Sequence, residues 1–147
     1  MSAVDVLTEI QIDRSVEEVS RFASNPDNAT KWYANIKSVE WKTAKPVMEG
    51  SRLEFTAEFL GKKLVYTYEV VEYVLNEKFV MRTSSGPFPM ETTYYWERIS
   101  KNETRMKLRN RGTPSGFSRL FGPIMAMAIR RANKKDLKRL KKIIEKK

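Results

Sequence analysis

Apolar and polar residues alternate along most of this chain, and only near its end does the apolar period lengthen. Val4, Val6, Ile10 and Ile12 alternate with polar neighbours and predict a strand over residues 4–12. Ser15-Val16-Glu17-Glu18 has the form of a capping box, and Val16, Val19, Phe22 and Ala23 then mark one helical face. Asn25-Pro26 restarts the chain with a capping side chain and a proline at the first helical position, so a second short helix follows to about Tyr33. Residues 36–43 read as a strand, with Pro46 and Gly50 marking the turn beyond it.

Residues 51–60 place Leu53, Phe55, Ala57 and Phe59 on one side. A tight turn at Gly61-Lys62, with Leu60 paired to Lys63, sets these residues opposite Val70, Tyr68, Tyr66 and Leu64 respectively. A slip of one residue would reverse every side chain, so the apolar agreement argues for this pairing. A turn at Asn76-Glu77, with Leu75 paired to Lys78, adds Phe79, Met81 and Thr83 to the same face. Residues 90–99 admit two inward sets. The larger rings favour Thr92, Tyr94 and Trp96 over Thr93 and Tyr95. The last strand, residues 104–111, turns Met106, Leu108 and Asn110 inward.

Residues 114–147 are helical in period. The first half (Phe117, Leu120, Phe121, Ile124, Met125, Met127, Ala128, Ile129) is apolar nearly all round, and a helix of that kind needs wrapping. The strands supply the one large partner. Pro123 sits badly inside a helix, which predicts a short turn over residues 115–122 and a main helix beginning at Pro123. The second half carries a narrow stripe of Leu137, Leu140 and Ile144 among lysines. The order β-α-α-β6-α, with short turns between strands, implies an α+β domain. Its seven-stranded antiparallel sheet curves around the terminal helix and leaves room between them. The 147 residues suit one domain, and about 70% of the unfolded surface is buried at that size.

Composition removes much chemistry. Cysteine and histidine are both absent. Disulfides, thiolate nucleophiles, the commonest general base and the usual nitrogen and sulfur metal ligands go with them. No metal, cofactor or catalytic constellation is expected; Tyr, Glu, Asp, Lys and Arg remain for proton transfer, without a paired-carboxylate spacing. No segment approaches about 18 consecutive apolar residues, and no basic-then-apolar leader opens the chain, which reads as a soluble cytoplasmic protein. Of the net charge of +10, residues 130–147 hold +8, so the basic balance belongs to the last helix.

Several segments, in this order, resemble the START and birch-pollen-allergen (SRPBCC) superfamily, and more narrowly its bacterial polyketide cyclase/dehydrase-like branch. They are Ile12-Asp13-Arg14-Ser15-Val16-Glu17-Glu18-Val19, Asn25-Pro26 before Lys31-Trp32-Tyr33, Tyr68-Glu69-Val70-Val71-Glu72-Tyr73, Gly86-Pro87 and Thr93-Tyr94-Tyr95-Trp96-Glu97. The last is Arg130-Arg131-Ala132-Asn133 with Asp136-Leu137-Lys138-Arg139-Leu140-Lys141. The resemblance implies a helix-grip fold with an internal cavity. It also implies that the region of Trp32 and Tyr33 borders the cavity mouth.

Candidate ligand-binding residues follow from the inward face. They are Phe55, Tyr66, Tyr68, Phe79, Met81, Thr92, Tyr94, Trp96 and Asn110 from the sheet, Phe117, Phe121, Ile124, Met125 and Ala128 from the helix, and Trp32. Buried tyrosines bring an apolar body and a polar tip, as pocket walls do. Glu72 is read as a rim residue, and Phe88, near the opposite rim, as either a lid residue or part of a plain turn. The expected function is binding or transport of a small hydrophobic molecule, such as a lipid, an isoprenoid or an aromatic polyketide. A cyclase or dehydratase acting through Tyr or acidic groups is the alternative. A third reading sets the basic helix against an anionic membrane or nucleic acid; nucleic acid is the less expected partner, since no aromatic interleaves the lysines. Monomer and edge-strand dimer both stay open.

Overall fold

The alternating segments form a single sheet in the computed structural model, which describes residues 4–59, 61–85, 89–112 and 121–146. The elements are β1 (Val4–Ile12), α1 (Val16–Ser24), a 3-10 turn (Pro26–Asn28), α2 (Ala29–Trp32), β2 (Ile36–Trp41), β3 (Arg52–Phe59), β4 (Lys62–Val74), β5 (Lys78–Ser85), β6 (Met90–Ser100), β7 (Glu103–Gly112) and α3 (Phe121–Glu145). The seven strands are antiparallel in the order β1-β7-β6-β5-β4-β3-β2, so the first strand closes onto the last. This is a curved sheet gripping a C-terminal helix.

Both N-terminal caps form as the sequence predicts. The Ser15 hydroxyl accepts from the Glu18 backbone N–H at 3.3 Å, and the Asn25 side chain accepts from Asp27 N–H at 3.1 Å.

Two strand registers differ from expectation. The β3–β4 hairpin turns one residue earlier, with Phe59 opposite Lys62, Ala57 opposite Leu64, Phe55 opposite Tyr66 and Leu53 opposite Tyr68. Gly61 takes the second loop position at φ +77°, which costs a glycine little. The pairing moves by two residues, so every side chain keeps its face. The β4–β5 loop holds three residues rather than two, with Asn76 at φ +64°, so Val74 faces Lys78 and Tyr73 faces Phe79. A bulge between Val70 and Glu72 then sets Met81 opposite Val70 and keeps it on the inner face, where the expected pairing had placed it opposite Glu72. It also turns Glu72 to the outer face, where it pairs with Lys78 at 3.2 Å, and brings Tyr73 edge-on to Phe79 at 5.1 Å. Glu72 is therefore not a rim residue of the concave face. On β6, Thr92, Tyr94 and Trp96 do face inward, opposite Asn110, Leu108 and Met106.

The α3 helix begins at Phe121, two residues before Pro123. The first-turn N–H groups have no intrahelical partner, so proline is tolerated there. Residues 115–120 of that expected turn lie outside the described residues. Among the described residues the helix is gripped from one side. Met125 is buried, whereas Ile124 is 58% and Met127 64% exposed, which corrects the expectation of an all-round wrap. Leu137, Leu140 and Ile144 are fully buried in the main core with Val16, Val19, Phe22 and Trp32. Along β1, the Arg130 guanidinium donates to Leu7 O at 3.3 Å and the Lys141 ammonium to Gln11 O at 2.9 Å. At the end of the same strand, Asp13 N–H donates to the Glu145 carboxylate at 2.8 Å. These contacts cover an otherwise open sheet edge.

Candidate functional site

The C-terminal half of α3 packs solidly, but the helix changes character towards its start. Ala132, Asn133 and Asp136 replace large apolar residues on the inner face, and a cavity of about 180 Å³ opens between this stretch and the sheet. The wall comprises Phe55 and Ala57 of β3, Leu64, Tyr66 and Tyr68 of β4, Phe79 and Met81 of β5, Met90, Thr92 and Tyr94 of β6, and Asn110 of β7. From α3 come Met125, Ile129, Ala132, Asn133 and Asp136; the region of residues 23–36 adds Ala23, Ser24, Asn25, Pro26, Ala29, Tyr33, Asn35 and Ile36.

Of the residues read from the sequence, Phe55, Tyr66, Tyr68, Phe79, Met81, Thr92, Tyr94, Asn110 and Met125 line this space. Trp32 and Trp96 are buried behind it, with ring centroids 5.7 and 6.1 Å from that of Tyr94. Ile124 points to solvent, because Met125 takes the inner position of that turn, and Ala128 is half-buried away from the wall. Phe117, Phe88 and the side chain of Phe121 fall outside the described residues.

Six polar residues of the wall, Ser24, Asn25, Tyr33, Asn35, Asn133 and Asp136, were not among the candidates. A signal for two of them was present: Asn133 and Asp136 lie eight and eleven residues after Met125, on the same helical face as Leu137 and Leu140. Polar residues on the apolar stripe of a helix have to meet something inside.

They meet a polar row. Asn133 Nδ2 donates to Asn110 Oδ1 at 2.6 Å, and Asn110 Nδ2 donates to Thr92 Oγ1 at 2.9 Å. This row ties α3 to β7 and β6 across the cavity wall. The hydroxyls of Tyr33 and Tyr94 lie 2.6 Å apart. One proton serves that bond, so the accepting hydroxyl keeps its own proton for another acceptor. Burial raises the pKa of Tyr33, Tyr68 and Tyr94 well above that of a free phenol, and pushes Tyr66 up to about 12. All four are neutral O–H groups at physiological pH.

Asp136 is 2% exposed, and its Oδ1 accepts from Ala34 N–H at 3.1 Å and from Arg139 Nη1 at 3.4 Å. Desolvation raises its pKa, partly offset by the Ala34 hydrogen bond and the Arg139 charge. The same guanidinium nitrogen donates to Trp32 O at 3.0 Å, so Asp136 and Arg139 together fasten α3 to the end of α2.

Among the described lining residues there is no Lys or Arg; Asp136 is the single acidic side chain and every other group is neutral. No group of three or more potential metal ligands occurs among the described residues. No described helix is long and apolar enough to cross a membrane.

Residues 3–145 match the family model described as polyketide cyclase / dehydrase and lipid transport. No curated protein matches the chain. Solved structures match it nearly end to end. A START superfamily protein from Mycobacterium smegmatis superposes with a TM-score of 0.83 at 15% identity, covering 97% of each chain. TTHA0849 from Thermus thermophilus gives 0.82 at 19% identity, over 95% of this chain and 96% of that one. The ZhuI aromatase/cyclase from Streptomyces sp. R1128 gives 0.81 at 10% identity, over 96% and 93%. At these identities the likeness is one of fold.

Proposed function

Because the chain belongs to the polyketide cyclase/dehydrase and lipid transport family, we propose that its cavity binds or carries a small, uncharged hydrophobic molecule bearing an oxygen acceptor. The observation that carries this reading is an apolar wall whose described polar groups are mainly neutral hydroxyls and amides, with no cation among them. An anionic ligand would lose its hydration beside Asp136 without gaining a positive partner, an expensive exchange. A carbonyl, alcohol or phenol needs only a donor, and the spare proton of the Tyr33–Tyr94 pair supplies one. The size supports a compact guest. An apolar cavity of about 150 Å³ in another protein admits benzene; the 180 Å³ here suits one or two fused rings.

Titration with 1-naphthol and 1-naphthoate, which share a ring system, tests the proposal through tyrosine and tryptophan fluorescence. Naphthol is expected to bind at least about tenfold tighter at neutral pH, the scale of one unpaired buried group. The Tyr94→Phe variant is expected to weaken naphthol about two- to tenfold, as the loss of one net hydrogen bond does. Equal affinity for both probes, or none for either, would overturn the reading.

A second reading is enzymatic and has one feature in its favour. Asp136 is a buried carboxyl of raised pKa in the same cavity as tyrosine hydroxyls, and a proton donor and acceptor beside a carbonyl suffice for cyclisation with loss of water. Asp136→Asn should then abolish turnover of a polyketide-like substrate while naphthol affinity survives. Unchanged turnover would remove Asp136 from the chemistry.

A further inference from the structure

The outer face of α3 carries a pattern that the cavity does not use. Ile124, Met127, Arg131, Lys134 and Lys138 follow one another at alternating intervals of three and four residues, which puts them on a single line along the helix. All are exposed, and Lys135 and Lys142 flank the line, exposed as well. The two apolar members are 58% and 64% exposed, far more than their inward neighbour Met125. Scattered exposed apolar residues are ordinary, but these two adjoin on one stripe and run straight into cations.

Elsewhere on the helix Arg139 pairs with Asp136 and Lys141 with Glu145. Arg131, Lys134, Lys135, Lys138 and Lys142 have no acidic partner among the described residues. Both acids of the helix are engaged elsewhere: Asp136 is buried at the cavity, and Glu145 holds Asp13 N–H and Lys141. The result is a rod with a short apolar tip and an uncompensated positive flank, opposite the face that lines the cavity.

We infer that this stripe of α3 docks the protein on an anionic lipid bilayer, with Ile124 and Met127 entering the acyl boundary and the lysines and arginine facing the head groups. A bilayer matches both halves of the pattern, because it offers apolar depth and negative charge within a few ångströms of each other. Nucleic acid would match only the charge, and no aromatic residue on the stripe is available to stack on bases. The docked orientation brings the cavity end of α3 to the membrane, since Met125 on the same turn lines the cavity. Docking itself is independent of what the cavity holds. Its use, loading or unloading a hydrophobic guest at the membrane, rests on the ligand-binding reading above.

Co-sedimentation of the full chain with vesicles tests this. Equimolar phosphatidylglycerol and phosphatidylcholine vesicles are expected to pull the protein down, and phosphatidylcholine alone is not; added salt should release it. The double variant Lys134→Glu/Lys138→Glu is expected to lose at least about tenfold in vesicle affinity, and Ile124→Ser/Met127→Ser a comparable amount. All these positions are exposed, so both variants should keep the wild-type circular dichroism and naphthol affinity. Equal sedimentation with both vesicle types would overturn the inference, as would charge-reversed protein that binds like wild type, or retention on single-stranded RNA without vesicle binding. Vesicle binding without naphthol binding would reject the cavity reading and leave the docking surface standing; the converse would do the opposite.

Discussion

Gly112 ends β7 with no space beside it. A Cβ built there would sit 2.1 Å from Met90 Sδ and 2.9 Å from Pro89 O, and Met90 lines the cavity. The thioether can swing away, but the Pro89 carbonyl belongs to the backbone. Gly112→Ala is therefore expected to cost about 1–3 kcal/mol, as overpacking does. It should also weaken naphthol by driving Met90 inward. Thermal melting together with the fluorescence titration checks both effects.

Asp136 gives the residue scale a pH signature. Its pKa is raised from 3.8 by burial, so the folded state holds its proton more tightly than the unfolded chain does. Its contribution to stability is fully present at pH below 3.8, declines as pH rises through the raised native value, and stays low above it. Asp136→Asn is expected to gain stability relative to wild type as pH climbs towards neutrality, and that gain should vanish in acid. Melts across pH measure the difference. A gain independent of pH would mean that Asp136 has the same pKa in the folded and unfolded chain.

Elements were the scale at which sequence pattern was most readable. Period-two alternation marked every strand because half of each strand faces a dry interior and half faces water. The misplaced turns show the limit of that reading. Loop length depends on which residue takes a left-handed conformation, here Gly61 and Asn76, and alternation is silent about that choice. A slip of two residues left the inner face intact, whereas the single inserted residue near Val71 moved Glu72 outside and Tyr73 inside. In α3 the stripe of Leu137, Leu140 and Ile144 was legible because large apolar side chains repeat on it. Leu140→Ala should cost about 2–5 kcal/mol by leaving a hole in a fully packed region. The exposed Lys138→Ala should change stability by no more than about 0.5 kcal/mol. Denaturant unfolding of the two variants separates a gripped face from a free one.

At the scale of the whole molecule, carboxylates clasp parts distant in the chain. Asp5 on β1 meets Arg109 of β7 at 2.8 Å, Asp27 meets Lys45 at 2.8 Å, and Glu145 holds Asp13 N–H at 2.8 Å. The pKa values of Asp5 and Asp27 are lowered from 3.8, chiefly by hydrogen bonds from Arg109 and from Lys45, and that of Glu145 from 4.5, chiefly by the Asp13 N–H. Their stabilisation is present above those unfolded values and disappears as pH falls through the lowered native ones. Acid titration followed by circular dichroism is expected to show stability falling below about pH 4.5. High salt should weaken the exposed pairs, while a bound guest should raise the melting temperature by mass action.

By itself the sequence determined the order of elements, the apolar face of the sheet, the packed end of α3 and the exclusion of thiol and imidazole chemistry. Each follows from local spacing or from residue types absent altogether. Tertiary structure decided that Asn133 and Asp136, whose inward place the helical spacing signals, meet a cavity there, that Trp32 and Trp96 stand behind its wall, and that Ile124 and Met127 meet solvent. A cavity of this size is a small difference between large packed volumes. Which side chain fills it depends on helix rotation and strand register, and these are set by contacts between residues a hundred positions apart.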